Sequence, residues 1–136
     1  MPSIPVALQL WSIRDHVKND FAAAVAEVAK IGYTGVETAG FGDLDAEGAA
    51  AALKAAGLKC AGMHAGIDAL RSDLNGCISN AHKLGAKHVI CPSWPHDHFI
   101  SAAACQGIGK ELGIIGGAFR AHDIQFAYHN HAIELA

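Results

Sequence analysis

A chain of 136 residues with 51% apolar and 17% charged residues can bury a core of its own, which excludes disorder and suits one globular domain. The net charge of −3 leaves no electrostatic footprint for nucleic acid, and no stretch approaches the roughly 20 apolar residues of a membrane span. No basic region followed by an apolar run opens the chain, so no signal peptide is visible and a cytoplasmic location is expected. Cys60, Cys77, Cys91 and Cys105 contain no CxxC pair, so zinc-site spacing is absent and reduced, mostly buried thiols are expected.

Val6 to Trp11 reads as a short apolar strand with Gln9 and Trp11 near its exit. Asn19 or Asp20 caps a helix in which Phe21, Val25, Val28 and Ile31 follow helical spacing, and Gly32 closes it. Thr34 to Thr38 is a second strand with Glu37 at its end. Asp45 caps a helix from Ala46 to Ala56, Gly57 ends it, and Lys59 to His64 is the third strand. A further helix opens at Ala69 or Ser72, carries Leu74, Ile78, Ala81 and Leu84, and closes at Gly85. His88 to Pro92 is the fourth strand, with Pro92 acceptable where pairing stops. A longer helix from about Ile100 to Ala121 is expected to break or bend around Gly113, Gly116 and Gly117. A fifth strand starts at Gln125 and turns abruptly into His129, Asn130, His131 and Glu134.

The helix–glycine–strand junction recurs at Gly32, Gly57 and Gly85, the signature of βα units in a parallel sheet. Apolar strands without polar alternation suit a sheet covered on both faces. An open dinucleotide-binding sheet would carry a glycine-rich turn after the first strand, but Trp11-Ser12-Ile13-Arg14-Asp15 contains no glycine. Nearly every strand instead ends in a polar or aromatic side chain, as the mouth of a (β/α)8 barrel requires. A complete barrel takes about 250 residues. The sequence therefore predicts a partial barrel of five parallel strands and four helices, the N-terminal half over residues 1–136 with no second domain.

Chemistry-bearing residues collect at those strand ends. They are Gln9, Trp11 and Arg14, then Glu37, His64, Trp94, and finally His129, Asn130, His131 and Glu134. On a strand, His129 and His131 face one way and Asn130 the other. Imidazole and carboxylate are ligands for a divalent metal such as Mn, Zn, Co or Mg, which would make His129 and His131 a metal pair. Glu37, His64 and Glu134 are candidates for moving a proton. Gln9, Arg14 and Asn130 could bind substrate, with Trp11 and Trp94 as its apolar wall. His82, His88, His96, His98 and His122 are expected to be solvated or locally bonded. The contiguous letters His129-Asn130-His131 do not match a nuclease motif whose three residues lie apart, and Gly107-Ile108-Gly109-Lys110 lacks the features of a phosphate loop.

Taken together, Leu8-Gln9-Leu10-Trp11-Ser12-Ile13-Arg14-Asp15, Ile31-Gly32-Tyr33-Thr34-Gly35-Val36-Glu37, Ala56-Gly57-Leu58-Lys59 followed by His64, Leu84-Gly85-Ala86-Lys87, and Tyr128-His129-Asn130-His131 with Glu134 occur in an order that resembles the sugar phosphate isomerase/epimerase family of xylose-isomerase-like TIM barrels. The resemblance implies metal-assisted proton transfer through an enediolate on a sugar, cyclitol or sugar phosphate. It also implies a metal held by a Glu from strand five and by ligands from strands six to eight. Here the strand-five position falls on His129, so His129, His131 or Glu134 must substitute, and strands six to eight are absent from this sequence. Self-association or a complementary half-barrel is therefore expected. The alternative is a catalytically silent half-barrel that binds a carbohydrate or a partner chain. A phosphodiester-cleaving relative on the same barrel fits less well, because no Lys/Arg cluster surrounds the strand ends.

Overall fold

The computed structural model describes residues 4–135. Five parallel strands form one sheet in the order of the chain: β1 (Ala7–Gln9), β2 (Gly35–Thr38), β3 (Lys59–His64), β4 (His88–Cys91) and β5 (Gln125–Tyr128). Between them run α1 (Arg14–Asn19), α2 (Phe21–Ile31), α3 (Ala46–Ala56), α4 (Ile67–Ser72), α5 (Leu74–Leu84) and α6 (Ala102–Arg120). Each strand pairs with its immediate predecessor. A doubly wound sheet would reverse direction and leave its first strand inside the sheet. The monotonic order is that of a TIM-type barrel, and the chain forms a partial one.

Local chemistry explains most element ends. Asp20 and Asp45 accept the Ala23 and Gly48 amides at 2.8 Å and so satisfy donors that the first turns of α2 and α3 leave free. Gly32, Gly57 and Gly85 close α2, α3 and α5 at φ of 109°, 72° and 66°, a left-handed conformation in which a Cβ is strained. Each glycine then releases the chain into the next strand.

Three expectations need correction. The helix expected from Ala69 or Ser72 is two helices, because Asp73 leaves the helical conformation at φ −149° and ψ 68° and caps α5 by accepting the Gly76 amide at 2.9 Å. The helix expected to break at its glycines is the continuous α6, capped by Ser101. A side chain at Gly107, Gly109, Gly113 or Gly117 would meet open space, so these glycines weaken the helix without kinking it. Buried Ile108, Ile115 and Phe119 tie that helix to the core. Among the described residues six α-helices are present rather than four, since α1 follows a short turn after β1 and the α4–α5 break adds another.

The core lies between the sheet and its helices. Val36, Met63, Val89 and Cys91 point outward from the strands and pack with Val25, Val28, Leu53, Ile78 and Phe119, all buried. The opposite, concave face is bare: Ala7 and Ala127 are exposed and Ile90 is half-buried. Beside β1 an apolar cleft of about 360 Å³ is lined by Leu8, Ile13, Ala24, Val28 and Ile31. Among the described residues no helix is long and apolar enough to cross a membrane.

Candidate functional site

The parallel sheet brings the exits of β1, β2, β3 and β5 to one rim. There Gln9 Nε2 donates to Glu37 Oε1 at 2.7 Å, and His64 Nε2 meets the same oxygen at 2.8 Å. An ionised carboxylate only accepts, so the His64 proton sits on Nε2 and its Nδ1 is the acceptor nitrogen, a tautomer assigned from the hydrogen bond. The His64 side chain is 9% exposed and that of Glu37 28%. Glu37 Oε2 has no hydrogen-bond donor among the described residues. Two side chains, from the strands on either side of β2, thus hold the Glu37 carboxylate by one oxygen and leave the other open.

His129, just beyond β5, stands edge-on to His64 with ring centroids 6.2 Å apart and planes at 81°. It stacks on His131 at 4.8 Å with planes only 13° apart. The expectation that the two rings share a side is met, but their use as a ready metal pair is not. Imidazole lone pairs lie in the ring planes, and nearly parallel planes do not converge on one ion. Among the described residues no group of three His, Cys, Asp or Glu side chains is disposed to hold a metal. As they stand, these side chains do not fit a divalent ion.

Glu134 is not brought to Glu37 and His64. Its Oε1 accepts the Tyr128 hydroxyl at 2.6 Å and its Oε2 accepts the His131 amide at 2.6 Å. With both oxygens engaged and its side chain 7% exposed, it clamps the segment after β5 rather than offering a free base. The Tyr128 hydroxyl is the first cause that holds the Glu134 carboxyl below its ordinary range. Burial, then the Glu134 carboxylate, push the Tyr128 phenol well up.

The two tryptophans differ. Trp11 falls in a short 3-10 turn, Leu10–Ile13, and is 57% exposed, with the Arg14 guanidinium 5.0 Å from its ring centre. Both stand beyond the end of β1, where a ligand could reach them. Trp94 is only 4% exposed. Its Nε1 donates to His98 Nδ1 at 3.0 Å, and Arg71 lies 4.8 Å over its ring while donating to Glu111 at 2.6 and 3.1 Å. Trp94 borders a cleft of about 400 Å³ with Ile67, Ser93 and His96, yet its main role is to anchor the loop after β4 to α4 and α6. Asn130 is exposed. So are His82, His88, His96, His98 and His122, in line with the solvated role expected of them.

All four cysteines are free thiols. Cys77 and Cys91 are buried, Cys60 is half-buried and Cys105 is exposed. Burial pushes the Cys60 thiol up to about 11 and also raises Cys77 and Cys91, so none of the three is an activated nucleophile. Gly62, Ile90 and the Arg71–Glu111 pair also border the groups described above. Gly62 carried a signal, a glycine inside a strand. The ion pair spans two helices far apart in sequence and carried none.

No protein-family model matches the sequence, and no curated protein matches it significantly. Among solved structures the chain is similar to a sugar phosphate isomerase/epimerase from Parabacteroides distasonis, with a TM-score of 0.76 and 19% identity over 97% of this chain and 53% of that one. It is also similar to an AP endonuclease of family 2 from Brucella melitensis, at a TM-score of 0.71 and 16% identity over 92% of this chain and 55% of that one. A probable 3-DHS dehydratase involved in petrobactin synthesis in Bacillus anthracis gives 0.69 and 15% identity over 90% and 51%. At such identities the likeness shows the fold. The chain spans about half the length of each of these proteins, covering 53%, 55% and 51% of them.

Proposed function

We propose that this chain supplies the first five strands of a carbohydrate isomerase or epimerase, with Glu37 as its proton-transfer base and His64 as the residue that holds it. The observation that carries the reading is the single carboxylate oxygen shared by Gln9 and His64 at the rim of the sheet. Barrel enzymes place their chemistry at that rim. The substrate class is a sugar, cyclitol or sugar phosphate with a carbonyl beside a hydroxyl-bearing C–H carbon. Glu37 Oε2 takes the proton from that carbon, and the C–H electron pair becomes the C=C bond of an enediolate as the carbonyl oxygen gains charge. Return of the proton from Glu37 to the former carbonyl carbon, as the hydroxyl on the first carbon passes its own proton to the carbonyl oxygen, gives an isomer; delivery to the first carbon by a donor on the face opposite Glu37, from outside the described residues, would give an epimer. His64 holds the carboxylate in place through Nε2–H, and Trp11 offers an apolar surface to the sugar ring.

A divalent metal belongs to this proposal only with ligands from outside the described residues and with His131 turned out of its stack on His129. The bare concave face and the apolar cleft beside β1 call for a partner, either a second copy or a complementary half-barrel. The same bare face favours a second reading, a silent half-barrel that binds a carbohydrate or a partner chain.

Proton NMR in D2O on a panel of ketoses, aldoses, cyclitol ketones and their phosphates separates the two. The enzyme reading expects deuterium to enter next to the carbonyl, with a rate at least about 100-fold lower in Glu37→Gln. Saturation transfer to a sugar without any deuterium uptake supports the binding module instead.

A further inference from the structure

We propose that Gly62 is a positioning residue for Glu37, and that its missing side chain is the space in which the carboxylate lies. The inference rests on the reading of Glu37 as a proton-transfer base, although its test does not depend on turnover. Pairing between β2 and β3 runs from Val36 opposite Cys60 to Glu37 opposite Gly62, so a bulge skips one residue and sets Glu37 against the glycine. Bulges re-aim side chains in this way, and a glycine inside a strand marks a close approach. Gly62 is not among the glycines with positive φ, so its backbone does not require glycine.

The side-chain space does require it. A Cβ at this position would stand 2.7 Å from Ile90 Cδ1, 3.3 Å from Glu37 Oε2 and 3.4 Å from Glu37 Cγ. The Ile90 methyl is the far end of a flexible side chain and can rotate away. Glu37 cannot yield as easily, because Gln9 and His64 hold its Oε1 from two sides. A methyl at position 62 would press on Oε2 and turn the carboxylate off those donors. Glycine leaves Oε2 both unshielded and correctly aimed.

The reporter is the His64 Nε2 proton, which a carboxylate acceptor shifts downfield in proton NMR and protects from exchange with water. His64→Gln assigns the signal. It is expected in the native chain and in Ile90→Val, and it is expected to vanish or shift in Gly62→Ala. Ile90→Val removes the Cδ1 atom of the nearest contact, so the signal should stay perturbed in Gly62→Ala/Ile90→Val. Absence of the signal from the native chain, its persistence in Gly62→Ala, or its recovery in the double variant overturns the proposal. Failure of the double variant to fold also overturns it, because the glycine would then serve backbone packing. Failure of the deuterium-uptake experiment bears on the enzyme reading alone and leaves these outcomes distinct.

Discussion

The Tyr128 hydroxyl donates to Glu134 Oε1 at 2.6 Å and so closes the segment after β5 back onto its own strand. The two groups shift each other in opposite directions, the carboxyl down and the phenol up. Stability should therefore depend on pH at both ends. Glu134 contributes fully above the ordinary carboxylate range and loses that contribution as the pH falls through its lowered value. Tyr128 contributes fully below the ordinary phenol range, about 10, and loses its contribution as the pH rises through its raised value. Urea denaturation across pH should show a decline on each side of neutrality, and Tyr128→Phe should shrink both. Unchanged declines in that variant would assign them to other groups.

Removing the shared acceptor should cost more than removing either donor. Glu37→Ala leaves His64, with 9% of its side chain exposed, and Gln9 without their partner. An unsatisfied, largely buried group costs about 1–3 kcal/mol, so Glu37→Ala should lower the unfolding free energy by about that much. Gln9→Ala should cost about 1 kcal/mol or less, since His64 still holds the carboxylate.

Fluorescence quenching should resolve two tryptophan populations, because Trp11 is 57% exposed and Trp94 only 4%. Trp11→Phe should leave a single, poorly quenched emitter. In that background Arg71→Ala removes the cation above Trp94 and the donor to Glu111, so the emission should move to the red and become quenchable. The expected stability loss is small, because both side chains of the Arg71–Glu111 pair are exposed to water.

Thiol titration with an aromatic disulfide near pH 8 should give one fast reaction, at the exposed Cys105. Cys60, whose thiol lies at about 11, and the buried Cys77 and Cys91 should react fully only after denaturation. A second fast thiol in the native chain would contradict the burial described.

If the cleft beside β1 seats a second copy of this chain, sedimentation velocity should show concentration-dependent association. Ile31→Lys should weaken it, since Ile31 borders the cleft and is 73% exposed, so a charge there spares the core. Equal association of native chain and variant would place the contact elsewhere.

The sequence announced whatever local chemistry decides. Asp45 and Gly57 bracket α3 at its observed ends because a cap and a left-handed closure act within one turn of the chain. It did not announce the α4–α5 break, where Asp73 competes with helical periodicity, nor the continuity of α6, where burial of Phe119 outweighs poor glycine propensity. The same division holds at the rim. Gln9, Glu37 and His64 stand out as polar groups at strand ends, yet only register makes them neighbours, and that register contains a bulge. Glu134 stands out equally and faces Tyr128 instead, because side-chain direction after a strand ends is set by the loop.

The order of the sheet also bears on how the molecule assembles in time. Each strand docks on the one made just before it, so no strand waits for a partner synthesised much later. Pairing with the preceding strand keeps the entropy of loop closure smaller than pairing across the whole chain would. A chain leaving the ribosome adds one βα unit after another to a growing template, with β5 docking after the other four described strands.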